Sequence, residues 1–271
     1  MVIGLLDTLP LWAVFVVTLV LLELSVEIGH KLARYQRRRA DGEKESSVGS
    51  MAGSTGAMVG AMLGLLAFML AFTFGMSASF FQSRRDVVLS EANAIGTTYL
   101  RAAMVPASIG TESRKLLREY VDVRLEAARG LNVDGAVSKS EELHHRLWSQ
   151  AVAASENDRS PVTALFIQSL NEVIDLHAKR VMVGLRTRIP PPIWLVLGVL
   201  AILSMTAMGY NQGLTSTRRS LVALALIFAF SVVMLLIVDL DRPGEGLLQV
   251  GQQSMIDLRN SMIAPDSTTV H

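Results

Sequence analysis

GAMVGAMLGLLAFMLAFTFGM, residues 56–76, is the stretch whose reading decides the fold class. It carries no charge. At 1.5 Å per residue a helix of this length crosses the roughly 30 Å hydrocarbon core of a bilayer. Backbone N–H and C=O groups in hydrocarbon must be satisfied within the segment, which selects a helix. Three further apolar runs follow the same logic: 11–28, 193–210 (just after Pro190-Pro191-Pro192) and 221–238. Composition agrees. Of the 271 residues 51% are hydrophobic and 18% charged, against about 25% charged in a soluble domain.

The expected architecture is all-α: a polytopic membrane protein with four transmembrane helices and a helical insert between the second and third. The expected divisions are a first span with a basic loop (1–55), the second span (56–81), the insert (82–190), spans three and four (191–240) and a C-terminal tail (241–271). The N-terminus lacks the basic region of a secretory signal, and Glu23 and Glu27 fall where a small-residue cleavage site belongs, so the first run is a retained span.

Several function classes drop out. A net charge of +1 gives no field to steer a polyanion, so no nucleic-acid partner is expected. Without cysteine there is no disulfide framework, thiolate metal site or cysteine nucleophile. No Walker A loop, G-x-S-x-G elbow, H-E-x-x-H pair or dinucleotide fingerprint occurs, so no enzyme activity and no cofactor are expected.

The insert reads as helical throughout. Residues 84–104 continue from the second span without a turn signal, and Pro106 and Gly110 break the helix. Thr111 is the expected N-cap of a helix ending before Gly130, with Leu117, Val121, Arg124 and Ala128 along one face and Lys115–Glu119 and Arg118–Asp122 as i,i+4 pairs. Ser138-Lys139-Ser140-Glu141 matches a capping box for a helix reaching Ala154. Ser160-Pro161 starts another, running to Arg188.

The second span holds the sharpest pattern. Ala57, Gly60, Gly64, Ala67, Ala71, Phe74 and Ala78 recur at steps of three and four, and six of the seven are small. Small residues mark close helix approach in lipid, and a 3.5-residue period keeps the seam facing one partner. One reading is packing against another helix of the same chain. The other is copies of this helix around the axis of a homo-oligomer, with a lumen that Phe74 narrows; hydrophobic constrictions gate by dewetting. Leu66, off the heptad, is expected to face lipid or a looser contact.

Ionisable groups near or beyond the spans form further candidates. Glu23, Glu27 and His30 share a face of the first span and are either interfacial, with His30 paired to Glu27, or ion-handling; intramembrane carboxylates usually face a bundle interior or water. In the insert, Glu91 and Asn93 lie in Glu91-Ala92-Asn93-Ala94-Ile95-Gly96, and Asn171, Glu172, Asp175 and His177 form the other dense cluster. These suit a polar helix-to-helix network or an ion path. Glu141, Glu142, His144 and His145 read as a solvated helix start, and no metal site is expected there.

Taken together, Ala67-Phe68 through Phe74 into Arg84-Arg85, Glu91 to Gly96, Leu170 to His177, Ile189-Pro190-Pro191-Pro192-Ile193-Trp194 and Asp239-Leu240-Asp241-Arg242-Pro243 resemble a bacterial family of four-span membrane proteins of unassigned function, often labelled bestrophin-like. The resemblance covers roughly residues 55–260. It implies a homo-oligomeric anion channel in the inner (plasma) membrane, with the second span at the pore and Phe74 as a constricting side chain. The expected partners are therefore the lipid bilayer, further copies of the chain and inorganic ions. The chain departs from bestrophins in length and in showing no extended C-terminal cytosolic region. Glu23 and Glu27 suit cations if they line a path, against the implied anion preference. The alternative function is a membrane-anchored signalling or scaffold protein whose insert binds a partner or ligand; a carboxylate-metal membrane enzyme is a third reading.

Orientation follows from basic residues in short loops. Lys31, Arg34, Arg37, Arg38, Arg39 and Lys44 cluster in 31–50, and Arg218 and Arg219 lie in the short third loop. This places both loops in the cytoplasm and the insert outside, although Arg84, Arg85, Lys179, Arg180, Arg186 and Arg188 flank the insert. Bestrophins carry the opposite arrangement. Single cysteines introduced into the cysteine-free chain separate the two. A membrane-impermeant maleimide is expected to label an insert cysteine in intact spheroplasts; labelling of a 31–50 cysteine alone inverts the orientation.

Overall fold

The computed structural model of the protein describes residues 9–39, 45–130, 133–215, 221–242 and 246–263, with side chains from residue 53 onward in the second stretch. Its helices are α1 Leu11–Arg39, α2 Glu45–Arg101, α3 Ala107–Ala128, α4 Val133–Asn157, α5 Pro161–Val181, α6 Pro191–Leu214, α7 Leu221–Asp241 and α8 Gln253–Ile263. A π-helical turn, Met182–Arg186, follows α5. All four apolar runs lie in helices long and apolar enough to cross a membrane, and α2 carries the second span without interruption into the insert. Lys44, Arg218, Arg219 and Pro243 lie outside the described residues. The chain divides into two compact units. One holds Met1–Ser79 and Arg188–Leu248, the other Phe80–Thr187 and Gln249–His271.

In the first unit α1 packs on α6 and α7. The α1–α6 crossing is close enough to need glycine. A Cβ on Gly209 would land on the Val26 carbonyl, and one on Gly29 on the Thr206 carbonyl. This is how helices gain contact in lipid, where apolar side chains have no hydrophobic reason to prefer each other. On α2, Val59, Leu66, Leu70, Thr73 and Ser77 are buried at helical spacing. Ser77 Oγ donates to the Ile237 carbonyl of α7 at 3.0 Å, and Ser204 Oγ of α6 to the Met62 carbonyl of α2 at 3.3 Å.

The Ile189-to-Trp194 and Asp239-to-Arg242 stretches meet at one end of this unit. Asp241 accepts the Ile189 N–H at 2.9 Å, and Arg188 Nη1 donates to the Asp241 carbonyl at 2.7 Å. Asp239 accepts the backbone N–H groups of Leu247 and Leu248, with Gly246 (φ 149°) folded against its carboxylate. Arg242 Nη2 reaches the Leu9 carbonyl at 2.7 Å.

The second unit has its own apolar core, including Ile95, Leu116, Leu117, Leu143, Leu147, Phe166 and Leu170. Residues 253–263, expected within a tail, form α8 and bury Met255 and Met262 in that core. Several local expectations are corrected. Gly110 does not break a helix. It lies inside α3, which starts at Ala107 after Pro106, because its missing side chain makes room for the Ala102 carbonyl. Thr111 is therefore not the N-cap. The capping box at Ser138 is overridden, since α4 already begins at Val133 and Ser138 Oγ back-bonds to the Asp134 carbonyl. Ser160 does cap α5, its Oγ accepting from the Thr163 N–H. That helix stops at Val181 rather than Arg188: the π turn widens it, and the chain is extended at Thr187 before Pro190. Arg84 holds this end, Nε donating to the Val183 carbonyl and Nη2 to that of Thr187. Lys115 pairs with Glu112, Glu119 with Lys139 and Arg146, and Asp122 with Arg259 of α8, in place of the two expected i,i+4 pairs.

The α1–α6 crossing carries a direct expectation. Gly209→Ala forces a methyl into backbone, which cannot rotate aside, and such overpacking costs about 1–3 kcal/mol or more. Gly64→Ala meets no atom within 4 Å. In detergent the thermal midpoint should fall clearly for Gly209→Ala and stay at the wild-type value for Gly64→Ala.

Candidate functional site

Two places collect the candidates, one in each unit. On α2, Ala57, Gly60, Gly64, Ala67, Ala71 and Phe74 are all exposed and Ala78 is half-buried. Nothing lies within 4 Å of a Cβ built on Gly60 or Gly64, and Phe74 is 37% exposed. The heptad thus points away from the helices of its own chain, and the expectation of packing within one chain is corrected. The face that packs is the one through Leu66, which is 1% exposed rather than lipid-facing. Glu23, Glu27 and His30 are half-buried on α1. Glu27 pairs with Lys31 at 3.5 Å, one turn further along α1.

In the second unit the sequence candidates separate. Asn93, Asn171, Glu172 and Asp175 are exposed, whereas Glu91 and His177 are buried and belong to one cluster. Helical spacing explains the split. Glu91 shares the inward face of α2 with Val87, Val88, Ala94, Ile95 and Thr98, and His177 that of α5 with Phe166, Leu170 and Val173. Glu91 Oε1 accepts from Tyr120 Oη at 2.5 Å, and Tyr120 Oη lies 3.1 Å from His177 Nδ1. Arg180 donates to Glu91 Oε2, and Arg124 Nε sits 3.6 Å from Oε1 as an ion pair without a hydrogen bond. His144 of α4 completes the group, its ring edge-to-face on His177 with centroids 4.8 Å apart. His144 is 7% exposed, so the reading of a solvated helix start is wrong for it, while Glu141, Glu142 and His145 beside it are exposed.

Sequence reasoning did not assign Tyr120, Arg124 or Arg180 to a site, and it set His144 aside as solvated. The available signal was a charge on an apolar stripe: Arg124 repeats with Leu117 and Val121, and His144 sits between Leu143 and Leu147. A buried charge is costly unless paired, so such a residue points to a partner elsewhere in the fold.

The cluster lies well past residue 76 and before residue 191, outside the apolar spans. Burial pushes the Glu91 carboxyl up, but the charges of Arg180 and Arg124 and the hydrogen bonds from Tyr120 and Arg180 outweigh it and hold it below the usual carboxylate value. Burial and the Glu91 charge raise the Tyr120 phenol well above its ordinary value. Burial, with Arg180 adding to it, lowers Arg124. Burial and the neighbouring His177 lower His144 to about 4. Burial and Arg124 lower His177 to about 4. The ionised core is therefore one carboxylate against two guanidinium groups, with two neutral imidazoles. Among the described residues, no three His, Asp or Glu side chains converge as metal ligands.

The model of the Bestrophin-like domain family matches residues 11–255 of this chain. No curated protein and no solved structure matches it.

Tyr120 is the joint of the cluster. Tyr120→Phe leaves Glu91 Oε1 and His177 Nδ1 buried without their shared hydroxyl, and a buried polar group so stranded costs about 1–3 kcal/mol. Thermal unfolding of the full-length variant in detergent should show a clearly lowered midpoint. Glu172→Gln, on the exposed face of α5, should match wild type.

Proposed function

The chain belongs to the bestrophin-like family, and on that premise we propose that it is one subunit of a homo-oligomeric ion channel with α2 near the pore axis. The observation that carries this is the outward face of α2. Ala57, Gly60, Gly64, Ala67 and Ala71 form an exposed small-residue seam while the same helix uses Val59, Leu66, Leu70, Thr73 and Ser77 to pack within its chain. In lipid, a seam of small side chains is suited to close helix approach or to leaving room along an axis. Phe74, on the same face, narrows such a lumen with an apolar ring, the kind of constriction that gates by dewetting. The ions and the other copies of the chain are its partners on this reading, and the plasma membrane its location.

A second reading is a membrane-anchored signalling or scaffold protein. It is favoured by the second unit having a hydrophobic core of its own, from Ala92 to Met262. A partner of fixed stoichiometry bound to the full-length protein, with no conductance, would select it.

Planar-bilayer recording of purified protein across salts and pH is the direct test, and absence of conductance would overturn the channel. Assembly tests the geometry. Gly64→Leu adds bulk to the seam in every subunit and should shift the protein to smaller species on size exclusion. Gly198→Leu is the matched control, since a Cβ on Gly198 of α6 also meets nothing within 4 Å. Normal assembly of Gly64→Leu, or loss of assembly in Gly198→Leu alone, removes the seam from the subunit interface.

A further inference from the structure

Counting protons in the buried cluster fixes the state of His177. Tyr120 has one hydroxyl proton, and the ionised Glu91 accepts it at 2.5 Å. The 3.1 Å contact between Tyr120 Oη and His177 Nδ1 must then take its proton from the ring, so Nδ1–H donates and the phenol oxygen accepts. A neutral imidazole has only that one ring proton. His177 Nε2 is therefore a bare lone pair, buried and without a hydrogen-bond partner in the protein. His144 Nε2 beside it is likewise buried and unpartnered.

The charged and titratable groups around His177 come from every helix packed on it. They are Glu91 on α2, Tyr120 and Arg124 on α3, Glu141 and His144 on α4, and Arg180 on α5; His145 adds to the field at His144. Glu141 and His145 are exposed and solvated. Inside the cluster the balance is two arginines against one glutamate, so any further positive charge is uncompensated.

We propose that the second unit is an acid-responsive module, in which His177 Nε2 takes up a proton and the added charge loosens the packing of α4 and α5 against α2 and α3. The step is an addition alone. A solvent proton joins the Nε2 lone pair, no covalent bond breaks, and Nδ1–H remains on Tyr120. This goes beyond conduction and stands whether or not the protein is a channel.

The direction follows from linkage. The closed unit holds His177 and His144 near 4, below the ordinary 6.5. A loosened unit restores the ordinary value and binds the proton. Closed packing is therefore fully favoured above about pH 6.5 and loses ground as pH falls toward 4, by up to about tenfold per pH unit for each histidine.

Hydrogen exchange of the full-length protein in nanodiscs, corrected for the intrinsic pH dependence of exchange, reads this between pH 7 and 5, before the carboxylates titrate. Protection of α4 and α5 peptides should fall by about tenfold or more across that range. His177→Gln should remove at least half of the logarithmic change, whereas His145→Gln should keep all of it. Unchanged protection in wild type, or a His177→Gln profile matching wild type, overturns the proposal. Should His177→Gln not fold, nitrogen-15 NMR of wild-type histidines at pH 7 decides it. The Nδ1–H tautomer at His177 is expected, and the Nε2–H tautomer there overturns the proposal.

Discussion

A carboxylate with no exposed surface, Glu91, sets the terms for the second unit. Two guanidinium groups and a phenol converge on it from α3 and α5, so one α2 side chain ties together helices far apart in sequence. Removing one partner of a buried ion pair typically costs 3–5 kcal/mol, because the survivor stays desolvated and unpaired. Here that survivor would be a pair of arginines. The neighbouring core of Leu116, Leu117, Leu143, Phe166 and Leu170 is generic by comparison, since an apolar interface tolerates sliding by a turn far better than an ion pair does. Arg84 acts similarly at the end of the unit, where the π turn leaves the Val183 and Thr187 carbonyls for its guanidinium.

Glycine has two opposite meanings in this chain. At Gly29 and Gly209 the absence of a side chain is filled by the carbonyl of a facing helix, and the residue is a packing device. At Gly60 and Gly64 nothing fills it. Sequence spacing does not separate these cases. Gly209 and Gly213 on α6 repeat at four, as Gly60 and Gly64 do on α2, but only the first pair meets another helix of the same chain. The difference lies in which stripe of each helix carries the larger apolar residues, and for α2 that stripe runs through Val59, Leu66 and Leu70.

This explains how much was legible in advance. The four spans, the all-helical class and the unbroken run from second span into insert were readable, because bilayer length and backbone satisfaction leave little choice. The Ser160-Pro161 start was readable because its chemistry is local. Gly110, Ser138 and the end of α5 were misread because tertiary contact decided each: the Ala102 carbonyl, the earlier start of α4 and the Arg84 guanidinium. Glu91 and His177 were legible as candidates for a polar helix-to-helix network, but the route between them was not. Their link runs through Tyr120, and nothing in a single sequence marks which tyrosine lies between two helices. Asn93, Asn171, Glu172 and Asp175 drew attention by density alone and point to solvent.

The stretches that carry the family resemblance now divide by role. Asp239, Asp241 and Arg242 serve the chain's own fold by accepting or donating to backbone at residues 247–248, 189 and 9. Glu91 and His177 serve it through the buried cluster. Each of these side chains has its charge or hydrogen bonding met by a neighbour in the same chain, His177 Nε2 excepted. The outward face of α2 is different. Its small residues and Phe74 contribute little to the interior of either unit, yet a lipid-facing helix has no need of a small-residue seam, for which leucine serves as well. A face that the single chain leaves exposed, on a span free of charge from Gly56 to Met76, is what supports the proposed contact with another copy of the chain.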